Sequence, residues 1–445
     1  MAILTEDECR AILKKALSYS KADECEINLY GSDSANIRYA RNNVSTSGAI
    51  GSTGMVVSSA YGKKLGVITL NEYTDEAIQH AVKRSEELAQ LAPENPEYMP
   101  FLGPQTYGPG GKTFIPATAA LTPAQRTAMV EQSLNIAKQN KLTAAGFLQS
   151  SSGFSSVMNS KGLFLYDTST NVNFSATLRT ADGQGSGYVT KDYNDVAKMD
   201  AVGFTKIAAQ KAAASTGAKA LEPGKYTVIL EPAAGIVLLE QLYGSLDARS
   251  ADEGRSFLSK PGGKTRLGEK LVDERVNIYS DPTNPEVPSS PWAGDGQPLQ
   301  KMSWIEKGVL KNVSYSRYWA QKKGVKPVPG PSNIIMEGGT QSLEELIKST
   351  EKGILVTRLW YIRPVDPQTL LYTGLTRDGT FYIENGQIKF PIKNFRFNES
   401  PVIMLNNLDA LGKAERTVSG ESSQSALIPP MRIRDFTFSS LSDAV

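Results

Sequence analysis

Two dipeptides near the C-terminus constrain the fold of this chain more than any other feature of its sequence. Asp378-Gly379 and Asn385-Gly386 each stand between short segments that alternate apolar and polar residues. Asp-Gly and Asn-Gly adopt the left-handed backbone of tight turns and are the strongest short-range signal for a β-hairpin. The pattern predicts three consecutive antiparallel strands, over residues 370–376, 380–384 and 387–390.

The first half of the chain mixes helix and strand signals. Thr5 and Glu8 have the spacing of a capping box and predict a helix to about residue 20. Thr122-Pro123 has the pattern of an N-cap followed by proline at the first helical position, and it predicts a helix to about residue 141. The predicted fold class is α+β, with N-terminal mixed α/β layers followed by a β-rich C-terminal domain that contains an inserted helix.

A chain of 445 residues is too long for one ordinary hydrophobic core and is expected to divide into domains. Residues 93–122 are rich in proline and glycine and lack periodicity, which is typical of a linker. The predicted division is an N-terminal α+β domain (1–92), this linker (93–122), a middle α+β domain (123–221) and a C-terminal β-rich domain (222–445).

Composition limits the class of protein. Lys and Arg total 48 against 46 for Asp and Glu, a balance that gives no direct evidence for nucleic-acid binding. No apolar run approaches the roughly 20 residues of a membrane span, and the acidic N-terminus does not resemble a signal peptide. The two cysteines, Cys9 and Cys25, favour a reducing compartment over a disulfide scaffold. We therefore expect a cytoplasmic protein.

The single histidine, His80, excludes several kinds of active site. An H-E-x-x-H metalloprotease centre needs two histidines, so this chain cannot build one. A Ser-His-Asp triad would have to use His80, and the sequence has no G-x-S-x-G nucleophile pattern to support it. Its position on a predicted helix, off the apolar stripe, is typical of a solvated residue.

The segment from Tyr226 to Ser245, YTVILEPAAGIVLLEQLYGS, resembles a motif of the TldD/PmbA family. In the TldD branch this strand leads into a helix with L-L-H-E-x-x-G-H, whose histidines bind zinc and whose glutamate acts as general base. In this sequence the two leucines and the glycine of that motif match. Glu240 stands at the first histidine, Gln241 at the glutamate and Ser245 at the second histidine.

A second family landmark lies near the C-terminus. Members of the TldD branch have C-G-K-x-G-Q, whose cysteine completes the metal site, and the similar stretch here runs from Ser419 to Gln424, SGESSQ. Ser419 replaces the cysteine. Residues 295–310 and 383–393 also resemble passages of the family.

The resemblance implies a chain without its own zinc chemistry. Zinc needs imidazole or anionic ligands, and a zinc-bound water needs a base that accepts its proton. Gln241 cannot accept a proton at neutral pH, and a serine hydroxyl is a much weaker zinc ligand than a thiolate. We therefore expect no catalytic residue, bound cofactor or metal in this chain, with Glu240, Gln241, Ser245 and Ser419 lining the former site.

The family also implies a partner. Its TldD and PmbA (TldE) chains form a cytoplasmic heterodimeric peptidase for unfolded or extended peptides, in which TldD carries zinc; an older family name is modulator of DNA gyrase. The resemblance favours the PmbA/TldE branch, with a TldD-like subunit as partner. Two alternatives stay open: a homodimer that binds peptides without cleaving them, and an enzyme that uses the carboxylates Glu240, Asp247, Asp252 and Glu253.

Overall fold

The structure is a computed structural model that describes residues 3–422 and 424–442. The α-helices are α1 Glu6–Ser18, α2 Asp75–Leu91, α3 Pro116–Ala119, α4 Pro123–Gln139, α5 Ala201–Ala214, α6 Pro232–Gly244, α7 Ala248–Asp252, α8 Arg317–Lys323, α9 Leu343–Lys348 and α10 Pro401–Asn406. Among these described residues, no helix is both long enough and apolar enough to cross a membrane.

The strands of the first half are β1 Glu24–Ala40, β2 Asn43–Tyr61, β3 Lys64–Leu70, β4 Thr143–Asn159, β5 Phe164–Arg179 and β6 Ser186–Tyr193. Those of the second half are β7 Gly224–Leu230, β8 Ser259–Lys260, β9 Lys264–Thr265, β10 Ile278–Ser280, β11 Met302–Glu306, β12 Val309–Leu310, β13 Ile334–Met336, β14 Lys352–Val356, β15 Leu359–Asp366, β16 Leu371–Thr376, β17 Thr380–Glu384, β18 Gln387–Pro391, β19 Phe395–Glu399, β20 Leu408–Leu411, β21 Glu415–Val418, β22 Ser425–Ile428 and β23 Met431–Leu441.

Strands β1 to β6 form one antiparallel sheet in the order β3-β2-β1-β4-β5-β6. Residues alternate between its faces, so that Val172 and Phe174 of β5 enter a core with residues of α4 and α5. Ile27 and Leu29 of β1 pack on the same side with residues of α1 and α2. The sheet therefore joins strands from both sides of the predicted linker, and the predicted domain boundaries stay a prediction.

The C-terminal half contains two larger sheets, with strand orders β12-β11-β10-β13-β22-β21 and β15-β16-β19-β23-β7-β14-β17-β18. Helix α6 contributes Ile236 and Leu239 to a core between these two sheets. The same core contains Trp304 of strand β11 and Phe397 of strand β19. Burial of such large apolar side chains drives the packing of the two sheets around the helix. The predicted α+β fold class, with a β-rich C-terminal part and an inserted helix, is confirmed.

The helix starts read from the sequence are confirmed. Thr5 and Glu8 form the predicted capping box at the start of α1. Thr122 caps α4, with Pro123 in its first turn. These signals succeed because the groups that satisfy the free N–H groups of a helix lie within a few residues of it.

One of the two predicted hairpins is wrong. Strands β17 and β18 pair across Asn385-Gly386 as predicted, but β16 pairs with β15 and β19 and makes no hairpin with β17. Asp378 does adopt the left-handed backbone that the turn signal indicates, with φ 54°. Its buried carboxylate accepts hydrogen bonds from Ser186 and Arg358, and this long-range contact accompanies a connection between two separated strands.

Candidate functional site

Helix α6 follows directly on β7 because Glu231-Pro232 places a proline in the first helical turn. The helix is apolar on most of its surface, and the residues from Ala234 to Leu239 are buried. Glu240 and Gln241 interrupt that run and are half-buried. The two polar side chains therefore lie at a break in the buried surface of the helix, which continues with Leu242 and Tyr243.

Glu240 contacts the segment that follows β21. Its Oε1 accepts a hydrogen bond from Ser422 Oγ at 2.5 Å. Burial raises the pKa of the Glu240 carboxyl to about 7, the hydrogen bond from Ser422 lowers it, and the nearby charge of Glu421 raises it further. The group is therefore partly protonated near neutral pH.

The segment of residues 419–422 has one internal hydrogen bond and is tied to two other elements, strand β15 and helix α6. Ser419 is 2% exposed, and its Oγ accepts a hydrogen bond from the backbone N–H of Glu421 at 3.0 Å. The Glu421 carboxylate accepts hydrogen bonds from the backbone N–H groups of Tyr361 and Ile362 on the edge strand β15. Ser422 reaches Glu240 on α6. Ser423, which belongs to the stretch predicted from the sequence, lies outside the described residues.

The other two predicted positions bond to their own helix. Gln241 Nε2 donates to the carbonyl of Val237 at 3.4 Å, and Ser245 Oγ donates to the carbonyl of Gln241 at 2.8 Å. Ser245 is also the C-cap of α6. The structure thus brings Glu240 and the segment of Ser419 together, whereas Gln241 Nε2 and Ser245 Oγ donate to carbonyl groups of their own helix.

The donor set at this place does not fit a catalytic zinc ion. It consists of one carboxyl group, one carboxamide and hydroxyl groups, whereas catalytic zinc is held by three imidazole, thiolate or carboxylate ligands. Within residues 3–422 and 424–442, no group of three or more His, Cys, Asp or Glu side chains has metal-binding geometry. His80 is exposed on α2.

The remaining carboxylates of the acid–base alternative have structural partners. Asp247 caps α7 by accepting from the N–H of Ser250. Asp252 accepts from Trp319 Nε1 and pairs with Lys323. Glu253 pairs with Arg249 and Arg255, as surface carboxylates commonly do. These three carboxylates are therefore engaged in a helix cap, a hydrogen bond and ion pairs of the local structure.

A polar cleft beside the segment of residues 419–422 was not predicted from the sequence. It has a volume of about 540 Å³ and lies against strands β4, β5 and β6. The sequence does contain a signal, since Asn171, Asn173 and Ser175 alternate with buried apolar residues in β5. That alternation marks a strand with one polar face, but it does not say what that face meets.

Models of the PmbA/TldA metallopeptidase family match most of the chain. The family's domain 1 matches residues 25–89, its central domain residues 118–216 and its C-terminal domain residues 223–440. This chain belongs to the TldD/PmbA family. The C-terminal match contains both α6 and the segment of residues 419–422, so the candidate site lies in the family's C-terminal domain.

Relatives and solved structures agree with this assignment. TldE from Thermococcus kodakarensis superposes with a TM-score of 0.86 at 19% identity, over 97% of this chain and 99% of that chain. A metalloprotease from Methanothermobacter thermautotrophicus is 25% identical over 319 residues, 65% of this chain and 67% of the relative. The metalloprotease PmbA of Escherichia coli O157:H7 is 25% identical over 202 residues, 44% of this chain and 43% of the relative. The structural likeness establishes a common fold.

Proposed function

We propose that this chain is the non-catalytic, TldE-like subunit of a zinc metallopeptidase complex that processes unfolded peptides in the cytoplasm. A TldD-like partner supplies the zinc ion and the general base. This chain contributes walls of the peptide-binding chamber and positions the partner. The family membership of all three matched regions supports a chain of this architecture.

The contact between Glu240 and Ser422 carries the proposal. It joins the helix and the C-terminal segment to which the family resemblance assigns the metal ligands. The two segments meet in this chain, but they meet through a carboxyl group and a hydroxyl group. The fold around the site is thus kept while the set of zinc ligands is not.

The side chain of Gln241 supports the same proposal. A carboxamide has no proton-accepting group that ionises near neutral pH, so it cannot activate a zinc-bound water. Its Nε2 donates to the carbonyl of Val237 within α6. This side chain therefore bonds within its own helix and takes no proton from a reacting group.

Reconstitution tests the proposal. The chain is purified alone, a TldD-like chain from the same host is purified alone, and the two are also co-expressed. Each sample is assayed for cleavage of an unfolded peptide and for zinc content. We expect cleavage and zinc in the co-expressed complex, and neither in this chain alone.

Two results would contradict the proposal in different ways. Cleavage with one zinc per chain in the isolated protein would make it an independent peptidase. Stable self-association with no binding of the TldD-like chain, measured by light scattering and co-purification, would favour the peptide-binding homodimer. Glu131→Ala, on the exposed face of α4, is a suitable control for the assays.

A further inference from the structure

A gap separates the two groups of helices that cover the sheet of strands β1 to β6. Leu148 of β4 packs in the core with α4 and α5, whereas Phe154 of the same strand packs in the core with α1 and α2. Side chains two residues apart lie on one face of a strand, so Ser150 and Ser152 lie on this face between the two cores. The floor of the gap therefore contains hydroxyl groups, where the cores on either side contain large apolar side chains.

The strands beside β4 contribute small side chains to this floor. Ala35 of β1 lies directly opposite Ser150 on one side and directly opposite Ala49 of β2 on the other. Gly51 lies two residues further along β2, on the same face. A cavity of about 390 Å³ lies over these residues.

The cavity is bordered by α3 and by the residues that connect it to α4. Its lining includes Thr118, Ala119 and Leu121, together with Arg126 from the first turn of α4. Arg126 is 9% exposed, and its Nη1 donates to the carbonyl of Leu121 at 2.6 Å and to Ser150 Oγ at 3.2 Å. These two hydrogen bonds hold one end of the guanidinium against the floor.

The other edge of the guanidinium has no partner among the described residues. Arg126 Nε and Nη2 donate to none of these residues, and neither is one of the polar atoms that are fully buried without a partner. Both nitrogens therefore keep accessible surface, and since the side chain lines the cavity, a ligand reaches them from it. A guanidinium edge with two free N–H groups binds a carboxylate or a phosphate through two parallel hydrogen bonds.

The positive charge of Arg126 has no counter-ion among the described residues. The buried arginines Arg416 and Arg358 pair with Asp192 and Asp378, whereas Arg126 forms no ion pair with a described carboxylate. Burial lowers the pKa of the Arg126 guanidinium, and no neighbouring carboxyl group raises it again. Because a buried charge without a counter-ion is costly, an anion that enters the cavity gains free energy there.

Ser150 and Ser152 add hydroxyl donors to the same cavity. Ser150 accepts from Arg126 and donates to no described residue. Ser152 is 8% exposed, and its Oγ makes no hydrogen bond with a described residue, although it is not fully buried. Hydroxyl groups in such positions normally have a partner, and here both face the cavity that Arg126 lines.

We propose that this cavity binds a small organic molecule with one carboxylate group, held by Nε and Nη2 of Arg126 and by the hydroxyl groups of Ser150 and Ser152. The described lining residues include one basic and one acidic side chain, Arg126 and Asp33, which favours a singly charged anion over a phosphate dianion. The volume lies in the range of small-molecule sites. This binding goes beyond the proposed peptidase role and does not involve the contact of Glu240.

Isothermal titration of the whole chain with N-acetylglycinate and with N-acetylglycinamide tests the site. The two probes have nearly the same size and differ in the carboxylate group. We expect the amide to bind at least about tenfold more weakly, because a hydrogen bond between two charged groups is stronger than one with a neutral partner. Equal affinities would overturn the proposal, and so would absence of N-acetylglycinate binding at millimolar concentration. Tighter binding of inorganic phosphate than of N-acetylglycinate would overturn the assignment of a carboxylate ligand.

Two variants with matched controls locate the binding. Ser152→Ala removes a hydroxyl group without a described partner, so it should keep the fold and weaken N-acetylglycinate binding about fivefold. Arg126→Gln should weaken it at least about tenfold, provided that its melting temperature shows a folded chain. Ser155→Ala, on the opposite face of β4, and Arg84→Gln, on the exposed side of α2, change the same residue types outside the cavity and should bind normally.

Unchanged affinity in Ser152→Ala would overturn the placement of the carboxylate, whatever the state of Arg126→Gln. Equal weakening in Ser155→Ala would also overturn it, because that side chain lies on the other face of the sheet. The titration uses this chain without a TldD-like partner, so its outcome is independent of the cleavage assay.

Discussion

Ser422 donates a hydrogen bond to the carboxyl group of Glu240, and this contact joins helix α6 to a segment 182 residues later in the chain. Glu421, one residue earlier, accepts hydrogen bonds from the backbone of Tyr361 and Ile362. The segment of residues 419–422 is thus fastened on both sides by carboxyl groups. In this arrangement Glu240 acts as a structural acceptor, at the position that the family resemblance assigns to a metal ligand of the TldD branch.

The first prediction concerns the pH dependence of Glu240→Gln. Burial raises the pKa of this carboxyl from 4.5 to about 7, so folding favours the protonated form. Its contribution to stability is complete below pH 4.5 and is lost as the pH rises through 7. The uncharged glutamine avoids this loss. The free energy of unfolding of the variant, relative to that of the wild type, should therefore rise by about 1–3 kcal/mol from pH 5 to pH 8.5.

Urea denaturation at the two pH values measures this difference in the free energy of unfolding. Glu131→Gln makes the same substitution on the exposed face of α4 and should differ from the wild type by less than about 0.5 kcal/mol at both values. A gain for Glu240→Gln that is equal at pH 5 and pH 8.5 would show that the carboxyl group does not titrate as described.

The second prediction concerns the contact between the two halves at Asp378. Its buried carboxylate accepts from Ser186 of β6 and pairs with Arg358 at 2.5 Å. Asp378→Ala leaves the Arg358 guanidinium without its anion, and we expect a loss of about 3 kcal/mol in the free energy of unfolding. Glu286→Ala breaks the exposed pair with Lys198 and should cost less than about 1 kcal/mol. Equal losses would contradict a special role of the buried pair.

The third prediction concerns the packing of α2 on the sheet of strands β1 to β6. A Cβ atom on Gly66 would lie 2.1 Å from the carbonyl oxygen of Ser85 and 2.4 Å from the backbone nitrogen of Ala89. Because both contacts are with backbone atoms, Gly66→Ala should force the helix away and cost about 1–3 kcal/mol. Gly48→Ala, whose Cβ would meet no atom within 4 Å, is the matched control and should be nearly neutral. Thermal melting of both variants checks the difference.

The fold was predictable where the decisive contacts are local. Thr5 and Glu8 satisfy the first turn of α1 from within four residues, and Asn385-Gly386 turns two adjacent strands into a hairpin. Asp378-Gly379 carries the same kind of turn signal, but the carboxylate of Asp378 accepts a hydrogen bond from Ser186, a residue 192 positions away. A sequence pattern that spans only a few residues gives no information about a hydrogen-bond partner so far away in the chain.

The candidate site was predictable only in part for the same reason. The meeting of Glu240 with residues 419–422 was expected from a family resemblance, because no local pattern links the two segments. The polar face of β5 is visible in the alternation of Asn171 and Asn173 with apolar neighbours. The cleft itself depends on the position of the segment after β21, which belongs to another sheet.

The most direct test of the account compares two substitutions in the co-expressed complex by the rate of peptide cleavage. Gln241→Ala in this chain should leave the rate within about twofold, because Gln241 takes no proton in the reaction. Alanine in place of the glutamate of the partner's zinc motif should lower the rate at least about 100-fold, the loss expected for a general base. Loss of cleavage on Gln241→Ala, with full activity retained by the partner's variant, would contradict the assignment of catalysis to the partner.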